Sequence, residues 1–207
     1  MKFKKTIGVY DNVITDIQCE DLINIFHSTE NDGAISVGSM AGGVDKTVKD
    51  TTDYDLQLNS SFDGSRLNQL ITDVFNDVLN NKYFNDWGFE ADYYHRRIVD
   101  DKTYWPCFNI QKYVKNEGHY NAFHLESEDL NSCNRVFVFI LYLNDVNKGG
   151  ETTFLFKEDG EDDFFKVKPK AGRLVIHPAG WPFIHKGEMP LSDDKYILTT
   201  WLTYKNE

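Results

Sequence analysis

Seven stretches of strand-like text crowd the second half of the chain, and they restrict its fold more than any other feature. Arg96–Val99, Cys107–Val114, Arg135–Asn144, Thr152–Phe156, Phe164–Val167, Arg173–Ile176 and Tyr196–Tyr204 are rich in β-branched and aromatic residues and are bounded by turn-forming text. The first half reads differently. Residues 7–14 suggest a short strand, after which Thr15 opens a capping box with Gln18. Ile17, Leu22, Ile23, Ile25 and Phe26 follow at helical spacing to about His27. A clearer helix carries Leu67, Leu70, Ile71, Val74, Phe75, Val78 and Leu79 on one face, with Asp63 or Ser65 placed to cap it. Helices first and strands afterwards predict an α+β fold. The strands suffice for two sheets packed face to face, a double-stranded β-helix (jelly roll) with N-terminal supporting helices behind one sheet.

At 207 residues the chain can build one good core, and no linker or repeat divides it. A single domain over 1–207 is expected, with helical support over about 15–82 and the jelly-roll core over about 95–204. Between them, Asn31–Asp55 is small, polar and without helical period. It reads as a strand followed by a mobile loop, either a surface connection or a flap that closes over a substrate. The acidic run Glu158–Asp163 lacks the spacing of a calcium loop and reads as a solvated hairpin tip.

The formal charge of −11 repels phosphate backbones and leaves no basic stripe for nucleic acid or an anionic membrane. Cys19, Cys107 and Cys133 are far apart and form no CxxC pair, so reduced thiols fit better than a zinc ribbon or a disulfide framework. The N-terminus has the charges of a signal peptide without its apolar run, and the longest apolar stretch, Val136–Leu143, is too short to span a bilayer. A cytoplasmic location is the expectation; the oligomeric state is not encoded in any motif.

Chemistry concentrates at Gly118–Glu126, Gly-His-Tyr-Asn-Ala-Phe-His-Leu-Glu. In an extended strand His124 and Glu126 leave the backbone on the same side and could grip one metal together. An imidazole and a carboxylate joined by a further His make the facial triad that holds Fe(II) and keeps positions open for a co-substrate and O2. His27, His95, His119 and His177 read as structural; His119 lies five residues before His124 and so on the other strand face.

Beyond His124-x-Glu126 the chain carries Leu-Tyr-Leu-Asn-Asp-Val, Gly-Gly-Glu-Thr-Thr-Phe and Lys-Pro-Lys-Ala-Gly-Arg-Leu-Val-Ile, then His185, Lys195 ten residues on and Trp201 six later. In this order the motifs resemble the 2-oxoglutarate/Fe(II) dioxygenases of the prolyl 4-hydroxylase type, over about residues 108–204. The resemblance implies His124, Glu126 and His185 as catalytic iron ligands and Lys195 as the partner of the distal 2-oxoglutarate carboxylate. It also implies that Tyr142 helps hold that carboxylate and that Tyr113 lines the cofactor pocket. Parity places Val136, Val138, Ile140 and Tyr142 on one face and Lys195, Ile197, Thr199 and Trp201 on another, making Thr199 and Trp201 pocket lining as well. Arg135 matches a family arginine and reads as a supporting or substrate-side ion pair.

The family usually has Asp where this chain has Glu126, and some phage-encoded members are similar in carrying His-x-Glu; for such a member the location would be the host cytoplasm. A halogenase is disfavoured because the carboxylate is retained. By resemblance, Fe(II), 2-oxoglutarate and O2 are the expected cofactors, with ascorbate to rescue oxidised iron. The expected reaction is hydroxylation of a C–H bond, of a prolyl residue in a peptide or protein, with release of succinate and CO2. The alternatives are an oxygenase of a small molecule and a non-catalytic jelly-roll binding protein.

Overall fold

The computed structural model describes residues 6–29, 34–40, 42–58, 61–87, 98–99 and 101–205. Helix α1, Asp16–Thr29, starts at the capping box: Gln18 Oε1 accepts from Thr15 N at 2.8 Å and Gln18 N donates to Thr15 Oγ1 at 3.3 Å. It buries Cys19, Leu22 and Phe26, while Ile17, expected on the same face, is exposed. Helix α2, Phe62–Val78, is capped by Ser61, whose side chain accepts from Gly64 N, so neither Asp63 nor Ser65 is the cap. Leu67, Ile71, Phe75 and Val78 lie fully or almost fully inside, and the helical path continues through Leu79–Tyr83 to Phe84–Asp86.

The strands are β1 (Gly8–Tyr10), β2 (Ser36–Val37), β3 (Lys49–Asp50), β4 (Thr52–Asp55), β5 (Thr103–Tyr104), β6 (Asn109–Tyr113) and β7 (His119–His124), then β8 (Arg135–Tyr142), β9 (Thr152–Glu158), β10 (Glu161–Val167), β11 (Arg173–Pro178), β12 (His185–Gly187) and β13 (Lys195–Tyr204). They form two sheets. The larger runs β1-β11-β8-β13-β6-β4-β2, with β5 also on β13; the smaller runs β10-β9-β12-β7-β3. Every pairing is antiparallel. The result is the expected jelly roll with helices behind one sheet.

Alternation along β8 and β13 divides the interior. Phe137, Phe139 and Leu141 with Tyr196, Leu198 and Leu202 face the helices, where Phe75 stacks on Phe139 at 5.1 Å between centroids. Val138, Ile140, Tyr142, Ile197 and Trp201 face the smaller sheet, meeting Phe154, Phe156 and Phe183. Each such side chain contributes about 1.5–3 kcal/mol on burial, so the central strands are firmly anchored on both faces.

Two local expectations are corrected. Lys49–Asp55 is not loop: β3 joins the smaller sheet through Lys49↔Tyr120, and β4 joins the larger through Tyr54↔Ile110. These strands are too short and polar to announce themselves, and their neighbours hold them in place. Of the expected strand Arg96–Val99, Ile98 and Val99 are helical and the rest lies outside the described residues, as does His95. Glu158–Asp163 is the tip of the β9–β10 hairpin, turned by Asp159 and Gly160 at positive φ. No described helix is long and apolar enough to cross a membrane.

Candidate metal centre

His124 ends β7, and its antiparallel partner across the smaller sheet is His185, the first residue of β12. Strand pairing therefore brings together two imidazoles that are distant in sequence, with ring centroids 4.5 Å apart. Glu126 lies just beyond β7, where its N–H donates to Ala179 O. Its Oε1 is 3.4 Å from His124 Nε2 and 3.7 Å from His185 Nε2. One donor atom from each residue falls within 4.8 Å of the others.

The tautomers suit a metal. His124 Nδ1–H donates to Ala122 O at 3.0 Å and His185 Nδ1–H to Phe183 O at 3.1 Å, which leaves both Nε2 lone pairs pointing into the site. Burial and the neighbouring His124 depress the His185 pKa, keeping that ring neutral. Burial pushes the Glu126 carboxyl up, but the imidazoles of His124 and His185 beside it outweigh that and hold the group well below the usual carboxylate range. Two imidazole nitrogens and one carboxylate oxygen on one side, with the other side open, suit Fe(II).

The extra methylene of Glu126 is absorbed by its far oxygen. Oε2 accepts from Trp201 Nε1 at 2.9 Å and from Arg135 Nη1 at 3.2 Å, while Arg135 also reaches Glu126 O and lies 3.8 Å from the centroid of the Trp201 ring. Oε1 alone is left facing the imidazoles. Arg135 thus takes the supporting position expected for it, and Trp201 serves the carboxylate as well as the cavity wall.

The triad opens into a cavity of about 410 Å³ lined by Tyr113, Ile140, Thr152, Lys195, Ile197, Thr199 and Trp201, among others. Lys195 begins β13 and is 1% exposed; its Nζ donates to Gly150 O at 3.2 Å and sits 3.9 Å from the centroid of the Tyr113 ring. Among the described residues no carboxylate is within ion-pair distance of it, and burial lowers its pKa to about 7. The Gly149-Gly150 turn supplies the accepting carbonyl. Both glycines have positive φ, and a Cβ on Gly149 would collide with Met189 O.

Tyr142 is placed differently from Tyr113 and Thr199. Its hydroxyl donates to Thr152 Oγ1 at 2.6 Å, and Thr152, not Tyr142, lines the cavity. His119 turns away to Glu117 O and Thr47 O, and His27 meets the Tyr196 hydroxyl. His177 is fully buried against His185, at 4.8 Å between centroids, and burial drives its pKa down to about 3.

One wall goes beyond the sequence expectations. Asp53 Oδ2 accepts from Lys49, Asn109 and Gln111, each at 3.1 Å, and Oδ1 from Thr51 at 2.7 Å. Lys49, Asp53, Asn109 and Gln111 all line the cavity. The sequence signal for it is the two-residue spacing of Lys49, Thr51 and Asp53, which puts all three on one face of an extended chain.

Residues 108–203 match the family described as the 2OG-Fe(II) oxygenase superfamily. The chain is similar to Prolyl 4-hydroxylase 13 of Arabidopsis thaliana, 30% identical over an alignment of 120 residues that covers 49% of this chain and 44% of that protein. It thus spans less than half the length of that relative. Its fold is similar to a Pseudomonas putida prolyl-4-hydroxylase, with TM-score 0.70 and 15% identity over 97% of this chain and 94% of the other. It is similar as well to a prolyl hydroxylase from Trichoplax adhaerens solved with a hypoxia inducible factor peptide, with TM-score 0.72 and 14% identity over 97% and 84%. The match to the 2OG-Fe(II) oxygenase superfamily over residues 108–203 thus falls on the strands that carry His124, His185 and Lys195, and the fold is similar to that of solved prolyl hydroxylases.

Proposed function

We propose that the chain is a 2-oxoglutarate- and Fe(II)-dependent dioxygenase that hydroxylates a prolyl residue of a peptide or protein. The observation that carries this reading is Lys195: a fully buried lysine with no carboxylate within ion-pair distance among the described residues, only Glu151 and Glu188 acting on it from farther away, in the same cavity as the His124–Glu126–His185 group. Such a lysine is costly in the free protein and is compensated by an anionic ligand. A dicarboxylate able to bind a metal through one end and an ammonium group through the other would fit both features.

In this reading His124, Glu126 and His185 hold Fe(II), which when bound with 2-oxoglutarate and O2 supplies the oxidation, with succinate and CO2 as by-products. The protein orients and shields. Lys195 keeps its proton on Nζ against the distal carboxylate, and Tyr113 and Thr199 line its path. Ile140 and Ile197 keep water from the same floor, and Arg135 with Trp201 hold Glu126 Oε2 so that Oε1 stays aimed at the metal. The peptidyl substrate and proline rest on the relatives, one of which was solved with a peptide.

Succinate formation from 2-oxoglutarate tests the reading, using protein loaded with Fe(II) and a panel of proline-containing peptides beside a His185→Ala control. Peptide-dependent succinate is expected, together with a peptide heavier by the mass of one oxygen atom. Succinate no higher than the control across the panel, with no 2-oxoglutarate binding to the Mn(II)-loaded protein, would overturn it.

A further inference from the structure

The smaller sheet is irregular at the metal site. Two steps along β12, from Gly187 to His185, correspond to four along β7, from Tyr120 to His124. A regular strand would carry residues four apart to about 13 Å from one another. Here the rings of Tyr120 and His124 are stacked, with centroids 3.8 Å apart and planes only 11° from parallel. The bulge at Asn121–Phe123 has folded the phenol onto the imidazole, and bulges beside active sites commonly re-aim side chains in this way.

The surroundings hold that arrangement. Asn121 N donates to Val48 O at 2.9 Å and Asn121 Nδ2 to Thr47 O at 3.0 Å, so the bulge is tied to the chain leading into β3. Tyr120 itself pairs with Lys49 across the ladder, and Lys49 Nζ is 5.6 Å from the phenol centroid. Gly187 lies opposite; a Cβ there would touch Tyr120 Cβ at 3.6 Å. With Nδ1 held by Ala122 O and one ring face covered by Tyr120, the His124 imidazole cannot turn away from Glu126.

We propose that Tyr120 is a positioning residue for the metal ligand His124, acting through the stack that the β7 bulge creates. This rests on the metal-site reading above. Its physical basis has two parts. The stack removes rotational freedom from the ligand before the ion arrives. It also favours the loaded state, because an imidazole that shares a metal's positive charge is attracted to the electron-rich face of a phenol more strongly than a neutral one.

The test is titration of the metal-free protein with Co(II) under argon, following the visible absorption of the ion. Tyr120→Leu is expected to bind about 10–100-fold more weakly, the range for groups that orient metal ligands, and to show a shifted spectrum. Tyr120→Phe is expected to restore affinity to within roughly threefold of the unaltered protein. Should the leucine variant fail to fold, pentafluorophenylalanine at position 120 keeps the shape and reverses the charge distribution of the ring; weaker binding than with Phe is then expected. Equal affinities and spectra for the Leu and unaltered proteins, or for the Phe and pentafluoro proteins, would overturn the role of Tyr120. Absence of Co(II) binding by the unaltered protein would overturn the metal site itself, and this inference with it.

Discussion

The indole Nε1–H of Trp201 donates to Glu126 Oε2 at 2.9 Å, while Oε1 of the same carboxylate faces His124 and His185. Glutamate is long enough to reach both ends of this arrangement from beyond the end of β7. A one-ended carboxylate follows: Oε2 is occupied by Trp201 and Arg135, and Oε1 remains for the metal.

Glu126→Asp should therefore weaken metal binding although it restores the residue usual in similar enzymes. The shorter side chain cannot keep Trp201 and Arg135 and still present an oxygen between the imidazoles. A loss of roughly 10–100-fold in Co(II) affinity is expected, with a smaller loss for Trp201→Phe, which retains Arg135. Isothermal titration of the metal-free proteins measures both, and a Glu126→Asp protein that binds as tightly as the original would contradict the clamp.

Lys195 links ligand binding to pH. Its folded-state pKa of about 7 lies below the ~10.4 of a free lysine. Between these values the unfolded chain carries a proton that the folded one lacks, so this residue's contribution to stability rises with pH across that window and is least favourable below pH 7. Lys195→Met should raise the Tm of the metal-free protein at pH 6.5, by an amount that shrinks toward pH 10. The same shift predicts proton uptake when 2-oxoglutarate binds at pH 8 and little at pH 6, since the carboxylate favours the charged lysine. Calorimetry in two buffers of different ionisation enthalpy reads that uptake directly.

Asp53 holds its wall of the cavity together. Replacing it with Ala leaves the buried Lys49 ammonium and the amides of Asn109 and Gln111 without their common acceptor, and should cost about 3–5 kcal/mol in urea unfolding. The double variant Lys49→Met, Asp53→Leu should recover part of that loss, because no charge is then stranded. A double variant less stable than Asp53→Ala alone would mean that the ion pair contributes net stability.

Much of the site is legible in the sequence alone. His124, Glu126, His185 and Lys195 are brought to one cavity, as the ordered motifs imply, and parity on β8 and β13 separates the helix-facing from the cavity-facing side chains. Ser61 as the cap of α2, the strands between Lys49 and Asp55, and Tyr142 bonded to Thr152 outside the cavity lining are not legible there. A two-residue strand carries almost no pattern of its own; it exists because a neighbouring strand offers hydrogen bonds, and nothing in its composition names that neighbour.

Which groups could bind a metal is an expectation carried by the ordered motifs, and which strand faces turn to the cavity follows from alternation, a local property of the chain. How Glu126 is used was settled only in three dimensions. Its two oxygens are assigned by Trp201 from β13 and Arg135 from β8, and its partner His124 is steadied by a ring four residues back that only a bulge brings into contact. Hydrogen bonds and ring contacts of this kind depend on the relative placement of separate strands. That placement is set by packing across the whole core, which no short stretch of sequence records.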